Sequence, residues 1–252
     1  MHLHLPKPLH GWRAFAGEVG VIVLGVLIAL GAQQLVEDLH QRSELRDAEA
    51  AMTSEIRDDD LPQAFTRAAI HQCYADQLNS IESAIVSGAN RAKVLALARA
   101  YRPAVRTWDD QAWQAALASQ VLSNSGSKRM LGWASAYVLI PRLAEGAKQE
   151  LDELPLLQAN MSGTGPLSPA QRDRLLQVIS VLRGRNGMMN AASLVFIRFA
   201  ADEGLVLSPE RKAALLSDAR RQYGACASEP SPERLNLGTQ FTFTGAGAEP
   251  RH

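Results

Sequence analysis

Histidine is the side chain best suited to acid–base work or metal ligation near neutral pH, and the chain has six, at positions 2, 4, 10, 40, 71 and 252. His2-x-His4 together with His10 could ligate a metal; the alternative is a basic, apolar tail with solvated histidines. No imidazole occurs between Gln72 and Arg251, so most of the chain has neither a histidine base nor a histidine ligand. The densest acidic cluster is Glu55 with Asp58-Asp59-Asp60. Carboxylate oxygens suit a divalent cation, but the EF-hand spacing is missing. The cluster falls where one helix ends and the next begins, and it reads as a solvated junction with an N-cap. The sequence contains no H-E-x-x-H, G-x-S-x-G, Walker A or G-x-G-x-x-G motif. The expectation is therefore no enzyme, no catalytic residue, no cofactor and no metal.

Two further groups of residues carry chemistry. Cys73 and Cys226 stand far apart in the chain. The second helix presents an apolar stripe of Ile70, Tyr74, Leu78, Ile81 and Ile85, and Cys73 falls on its flank at ~100° per residue. There it could meet the segment after the last helix and form a disulfide that persists in an oxidising compartment. The alternative is two unrelated reduced thiols. Redox or metal chemistry is disfavoured because no C-x-x-C occurs. Trp108, Trp113, Trp133 and Tyr137 could line a ligand pocket, or pack as core at helical spacing; a bundle with a cavity would allow both.

These residues must be positioned by helices. The chain has 252 residues, of which 46% are hydrophobic and only 6% aromatic, and β-branched runs are scarce outside one segment. The expected fold is all-α: one N-terminal transmembrane helix continuing into a stalk, followed by an irregular helical bundle. Twenty-six basic residues balance 26 acidic ones, for a net charge of zero. A nucleic-acid binder normally carries a basic excess, so no nucleic-acid partner is expected.

From Val19 to Ala32 all 14 residues are Val, Ile, Leu, Ala or Gly. Extended over 14–36, with Glu18, Gln33 and Gln34 as the polar interruptions, the helix would span roughly 35 Å, enough to cross a bilayer. Trp12 then sits where an interfacial aromatic belongs. Three alternatives compete: a buried helix of a soluble protein, a cleaved signal peptide with small residues at Ala29-Leu30-Gly31, and an interfacial helix. Glu18, Gly25, Ala29 and Ala32 share one face, and Gly25-x-x-x-Ala29 is a small-x-x-x-small pair through which two membrane helices could pack as a homodimer. Lys7 and Arg13 precede the segment, while Glu37 and Asp38 follow it, with Arg42 and Arg46 further on. The positive-inside rule favours a cytoplasmic N-terminus by a narrow margin.

Trp12, the run Phe15-Ala16-Gly17-Glu18-Val19 and Val23-Leu24-Gly25-Val26-Leu27-Ile28-Ala29-Leu30, followed by a polar helix, resemble the N-terminal signature of a family of uncharacterised bacterial single-pass membrane proteins. The resemblance covers about the first fifth of the chain. It implies a membrane anchor joined to a helical domain, and brings no activity, cofactor or catalytic residue.

The segments are expected as follows: 1–13 a short cytoplasmic tail, 14–36 the transmembrane helix, 37–60 a helical stalk, 61–226 a periplasmic helical domain, and 227–252 a flexible tail. Within the domain, Pro62 opens a helix that Gly88 stops; a third runs from Ala89 to Tyr101; Thr107 caps a fourth, with Asp110 at N3. After a loop at 123–126, Ser127 opens a fifth helix that Pro141 kinks or splits. Residues 160–166 form a linker, Ser168-Pro169-Ala170-Gln171 is a capping box, Gly184 and Gly187 divide two helices, and Ser208-Pro209 opens the last, which Gly224 stops. The leading functional reading is a non-enzymatic bacterial inner-membrane protein whose periplasmic domain contacts the lipid bilayer through its anchor and another envelope protein through its helices. The alternative is a membrane-anchored ligand-sensing module with an aromatic pocket.

Overall fold

The described residues begin with a single helical run that extends from Trp12 to Ala69. It consists of α1 (Trp12–Ser54), a π-helical turn (Glu55–Asp60) and α2 (Leu61–Ala69). The computed structural model describes residues 12–104, 107–159 and 165–231, and among these it is all-α. The apolar part of α1 is exposed along its whole length; Val21 is 72% and Val36 67% exposed. That overturns the buried-helix alternative, because none of the other described residues covers this segment. Packing starts where the sequence turns amphipathic, with Leu45 and Ala48 partly buried and Met52 and Ile56 fully buried.

The stalk does not end at Asp60. Pro62 has no N–H to offer the carbonyl of Asp58, and its ring crowds that carbonyl. The helix passes this point by widening into the π turn, with Pro62 in the first turn of α2. The helix expected over 62–87 is broken at Ile70, giving α2 and α3 (His71–Val86). Gly88, at φ +71°, follows its end, as the sequence indicated. Asn90 caps α4 (Arg91–Ala100), accepting from the Lys93 N–H.

Thr107 is not an N-cap. Its carbonyl accepts from Gln63 Nε2, the Asp109 N–H points to Asp60 Oδ1, and α5 (Gln111–Ala118) starts three residues later than expected. The 107–110 segment is a strap held against the π turn and α2. Residues 121–124, partly expected as loop, form a 3₁₀ turn whose Val121 and Leu122 are buried. Pro141 splits the fifth helix as anticipated, into α6 (Ser127–Tyr137) and α7 (Ile140–Asp152), followed by the short α8 (Leu154–Ala159).

Gly184 and Gly187 do not divide anything: α9 (Pro169–Asp202) is one helix of 34 residues. Two interior glycines cost about 1 kcal/mol each relative to alanine. Against that stands a stripe of buried side chains, Leu175, Ile179, Leu182, Asn186, Met189, Ser193, Phe196 and Ala200, in alternating steps of four and three residues. Burial of such a stripe at roughly 1.5–3 kcal/mol per large apolar side chain outweighs the glycines. The Ser168 capping box is complete, with Ser168 Oγ accepting from Gln171 N–H and Gln171 Oε1 accepting from Ser168 N–H. Ser208 caps α10 (Pro209–Tyr223), which ends at Gly224 (φ +95°).

The expected tail begins too early. Ala227 is buried, its carbonyl accepts from Arg220 Nε, and the Ser228 N–H donates to Ala69 O at 3.0 Å. Residues 232–252, including Phe241 and Phe243, lie outside the described residues, as do His2, His4, His10 and residues 160–164 of the linker.

The bundle has two apolar clusters. One joins the top of α1, the π turn, the first half of α2, α5, the 3₁₀ turn, α6, α7 and the C-terminal half of α9. The other joins α3, α4, α8, the N-terminal half of α9 and one face of α10. α9 runs past both, and the C-terminal ends of α2 and α7 lie at the boundary between them. Their packing is close enough that glycine matters at Gly146, where a Cβ would meet the Sδ of buried Met189. A Cβ at Gly132 would meet only the carboxylate end of exposed Glu203, which can swing away. Gly146→Ala is therefore expected to destabilise by about 1–3 kcal/mol through overpacking. Gly132→Ala is expected to be neutral or to stabilise by up to about 1 kcal/mol through helix propensity. Urea midpoints of the two variants check this; equal shifts would contradict it.

Candidate functional site

Between the two clusters lies a polar layer to which α2, α7 and α9 each supply one residue. Arg67 falls between Phe65 and Ile70, Glu150 between Ala147 and Leu157, and Asn186 between Leu182 and Met189; in each case the neighbours belong to opposite clusters. All three side chains are buried. Arg67 Nη2 donates to Glu150 Oε1 and to Asn186 Oδ1 (3.0 Å), and Asn186 Nδ2 donates to the His71 carbonyl at 3.1 Å, just after the break between α2 and α3. The guanidinium carbon lies 5.0 Å from the centre of the Tyr74 ring, a cation–π contact. Tyr101 and Tyr223 pack edge-on against that ring at 5.6 and 5.7 Å.

The chemistry of this layer is that of a fixed ion pair. Burial raises the Tyr74 phenol well above its ordinary range, assisted by Tyr223, and burial also raises Tyr101, assisted by Glu150. Both therefore stay protonated at physiological pH and cannot act as bases. Tyr74 Oη instead accepts the Ala104 N–H at 2.8 Å, pinning the chain after α4. Among the described residues, Arg67 Nε and Nη1 and Tyr101 Oη have no hydrogen-bond partner.

Sequence reading passed over Arg67, Glu150 and Asn186, although a signal was present. On α9, Asn186 interrupts the four-and-three apolar stripe. On α7, Glu150 continues Ile140, Leu143 and Ala147 at the same steps. A lone charged or amide residue on such a stripe must be paired, since an unpaired buried charge costs several kcal/mol.

The expected solvated acidic junction is half right. Asp58 and Asp59 are exposed, but Asp60 is 0% exposed and makes no cap. The end of the π turn places it inward, towards the strap. Among the described residues its Oδ1 receives only the Asp109 N–H, at 3.4 Å, and Oδ2 has no partner. Burial pushes its carboxyl up to about 7, and the neighbouring carboxylates of Glu55, Asp59 and Asp109 add to the rise. Glu55 also shifts upward through burial, opposed by two good hydrogen bonds: Oε2 accepts the Ala112 N–H (2.9 Å) and Oε1 the Tyr137 hydroxyl (2.8 Å). Among the described residues, no group of three or more acidic, histidine or cysteine side chains is arranged to hold a metal.

Trp108, Trp113, Trp133 and Tyr137 all belong to the first apolar cluster. Trp113 stacks on Tyr137 with centroids 5.1 Å apart, Trp133 lies 6.5 Å from Tyr137, and Trp108 packs edge-on to Phe196 at 6.3 Å. None of the four lines the shallow cleft of about 420 Å³ that Phe65, Pro209, Lys212, Ala213, Leu216 and Glu229 enclose. Cys73 and Cys226 are joined, with their sulfurs 2.10 Å apart. The bridge ties the start of α3 to the segment after α10, beside the Ser228–Ala69 hydrogen bond. On α1, Gly25 has open space around its Cβ position, and Glu18, Ala29 and Ala32 are likewise exposed.

These features define an all-α helical bundle carried on one N-terminal apolar helix long enough to cross a membrane. Comparison with protein-family models, with curated proteins and with solved structures gives no match.

Proposed function

We propose that the protein is a single-pass bacterial inner-membrane protein, N-terminus in the cytoplasm, whose helical domain stands in the periplasm and serves an interaction or structural role without catalysis. The observation that carries this reading is the complete exposure of the apolar stretch of α1, joined without a loop to a folded bundle. An exposed surface of that size is unfavourable in water and favourable in hydrocarbon. The Cys73–Cys226 bridge supports an oxidising compartment for the domain. The family resemblance of the first fifth of the chain points the same way. The polar layer between the two clusters supports a scaffold, since it consists of a fixed ion pair, an amide and protonated phenols. Self-association through Gly25 and Ala29 belongs to the same proposal.

Reporters fused after His252 leave the bridge intact and test the topology. Alkaline phosphatase there is expected to be active and a fluorescent protein that matures only in the cytoplasm to stay dark; the reverse pattern overturns the orientation. Carbonate-washed membranes are expected to retain the full-length chain. A shortened, soluble product would mean that the apolar segment is a cleaved signal, and the anchor reading would fall.

A further inference from the structure

The last turns of α1 and the π turn carry the N-terminal helix into the bundle, and the strap and α5 are fastened to the π turn by two carboxylates. Ala112 N–H and Tyr137 Oη–H occupy both oxygens of Glu55, while Asp60 offers one oxygen to Asp109 N–H and leaves the other without a partner at zero exposure. We propose that Asp60, with Glu55 beside it, is a proton-binding site that clamps the strap and α5 onto the π turn when occupied and releases them when the proton leaves. This goes beyond the proposed location of the domain and does not depend on it.

The geometry separates the two acids. Glu55 has two sound donors aimed at its two oxygens, so its ionised form is accommodated. Asp60 has one long contact and an orphaned oxygen at zero exposure, which suits a neutral acid and penalises an anion. The charged groups acting on Asp60 are Glu55 and Asp59 from its own turn and Asp109 from the strap. From α6 it faces the Tyr137 phenol, and Asp110 acts on both Tyr137 and Glu55. The cations nearby in the fold act elsewhere: Arg57 and Arg211 of α10 both act on Asp58, which is exposed. Loss of the Asp60 proton therefore adds a buried negative charge to a wholly acidic group, and the strap that carries Asp109 and Asp110 is the non-helical segment that faces it.

The sign follows from linkage. In the closed fold the Asp60 carboxyl sits at about 7, against an ordinary value of 3.8 when solvated. Between those values closing takes up a proton, so the clamp is fully present below about pH 4, weakens as pH rises, and levels off above about 7. Opening should rise on the order of 50-fold from pH 5 to pH 7.

The test is amide hydrogen exchange of the full chain in detergent micelles, corrected for intrinsic exchange rates, read at Asp109 and Ala112. Protection there is expected to fall by tens of fold between pH 5 and 7, while amides in the middle of α9 are unchanged relative to them. Asp60→Asn, which keeps the shape and removes the proton equilibrium, is expected to hold the same protection at both pH values. Equal protection of the parent at both values, or an undiminished fall in Asp60→Asn, overturns the proposal. Should that variant fail to fold, the carbon-13 titration of the Asp60 carboxyl in the parent decides: a midpoint between about 6 and 8 supports the site, and one below 5 sinks it.

Discussion

Glu150→Ala is expected to destabilise the bundle by about 3–5 kcal/mol, the range found when one partner of a buried ion pair is removed. Both side chains of the pair are almost without solvent contact, at 1% for Arg67 and 3% for Glu150. Truncating Glu150 strands the guanidinium between two apolar clusters with only Asn186 and the Tyr74 ring for compensation. The cost arises from the stranded charge rather than from the value of the pair, which makes a second result diagnostic. The triple variant Arg67→Met, Glu150→Leu, Asn186→Leu removes the charges together and should recover most of the loss. Guanidinium unfolding of the single and triple variants checks both statements. A single variant within about 1 kcal/mol of the parent would mean that water reaches Arg67, and the account of a sealed polar layer would be wrong.

Removing the disulfide should cost nearly as much for a different reason. The bridge spans a sequence separation of 153 residues. In the chain-entropy model, closing a loop of that size contributes roughly 4–5 kcal/mol by restricting the unfolded chain. Cys73→Ala with Cys226→Ala is expected to lower the guanidinium midpoint accordingly, and a reductant should lower the parent's midpoint to that of the double variant. The segment around Ala227 should lose exchange protection first, since a few hydrogen bonds, Ser228–Ala69 and Arg220–Ala227 among them, and the burial of Ala227 would then hold it. A parent whose midpoint ignores reductant would contradict the prediction.

The element boundaries show which signals are local. Ser168-Pro169-Ala170-Gln171, Ser208-Pro209, Gly88, Pro141 and Gly224 act through their own backbone and their nearest neighbours, so each did in the fold what its type and position implied. The misread places were decided by distant residues. Gly184 and Gly187 remain inside α9 because α2, α3 and α7 bury the opposite face of that helix. Thr107 loses its cap role because Gln63 and Asp60 hold the strap extended. Ala227 leaves the tail because Ala69 and Arg220 hold the segment on which it lies.

Asp60 belongs to the same class. Three adjacent aspartates look alike in a sequence, and polarity alone assigns all of them to water. Helical rotation through the π turn leaves two outside and carries the third inward, where the strap covers it. Its partners, Asp109 and Tyr137, are separated from it by 49 and 77 positions in the chain, so no local pattern could have named them.

By itself the sequence determined the all-α class, the long apolar N-terminal helix, most helix starts and stops, and the two cysteines as a candidate pair, because these follow from composition, period and near-neighbour chemistry. Tertiary structure alone decided that Arg67, Glu150 and Asn186 meet in one layer, that four aromatics pack on each other and on Phe196, and that one aspartate of three is sealed from solvent. Contacts between α2, α7 and α9 bring together residues separated by scores of positions, and burial, which sets the cost of an unpaired charge, is a property of that assembly.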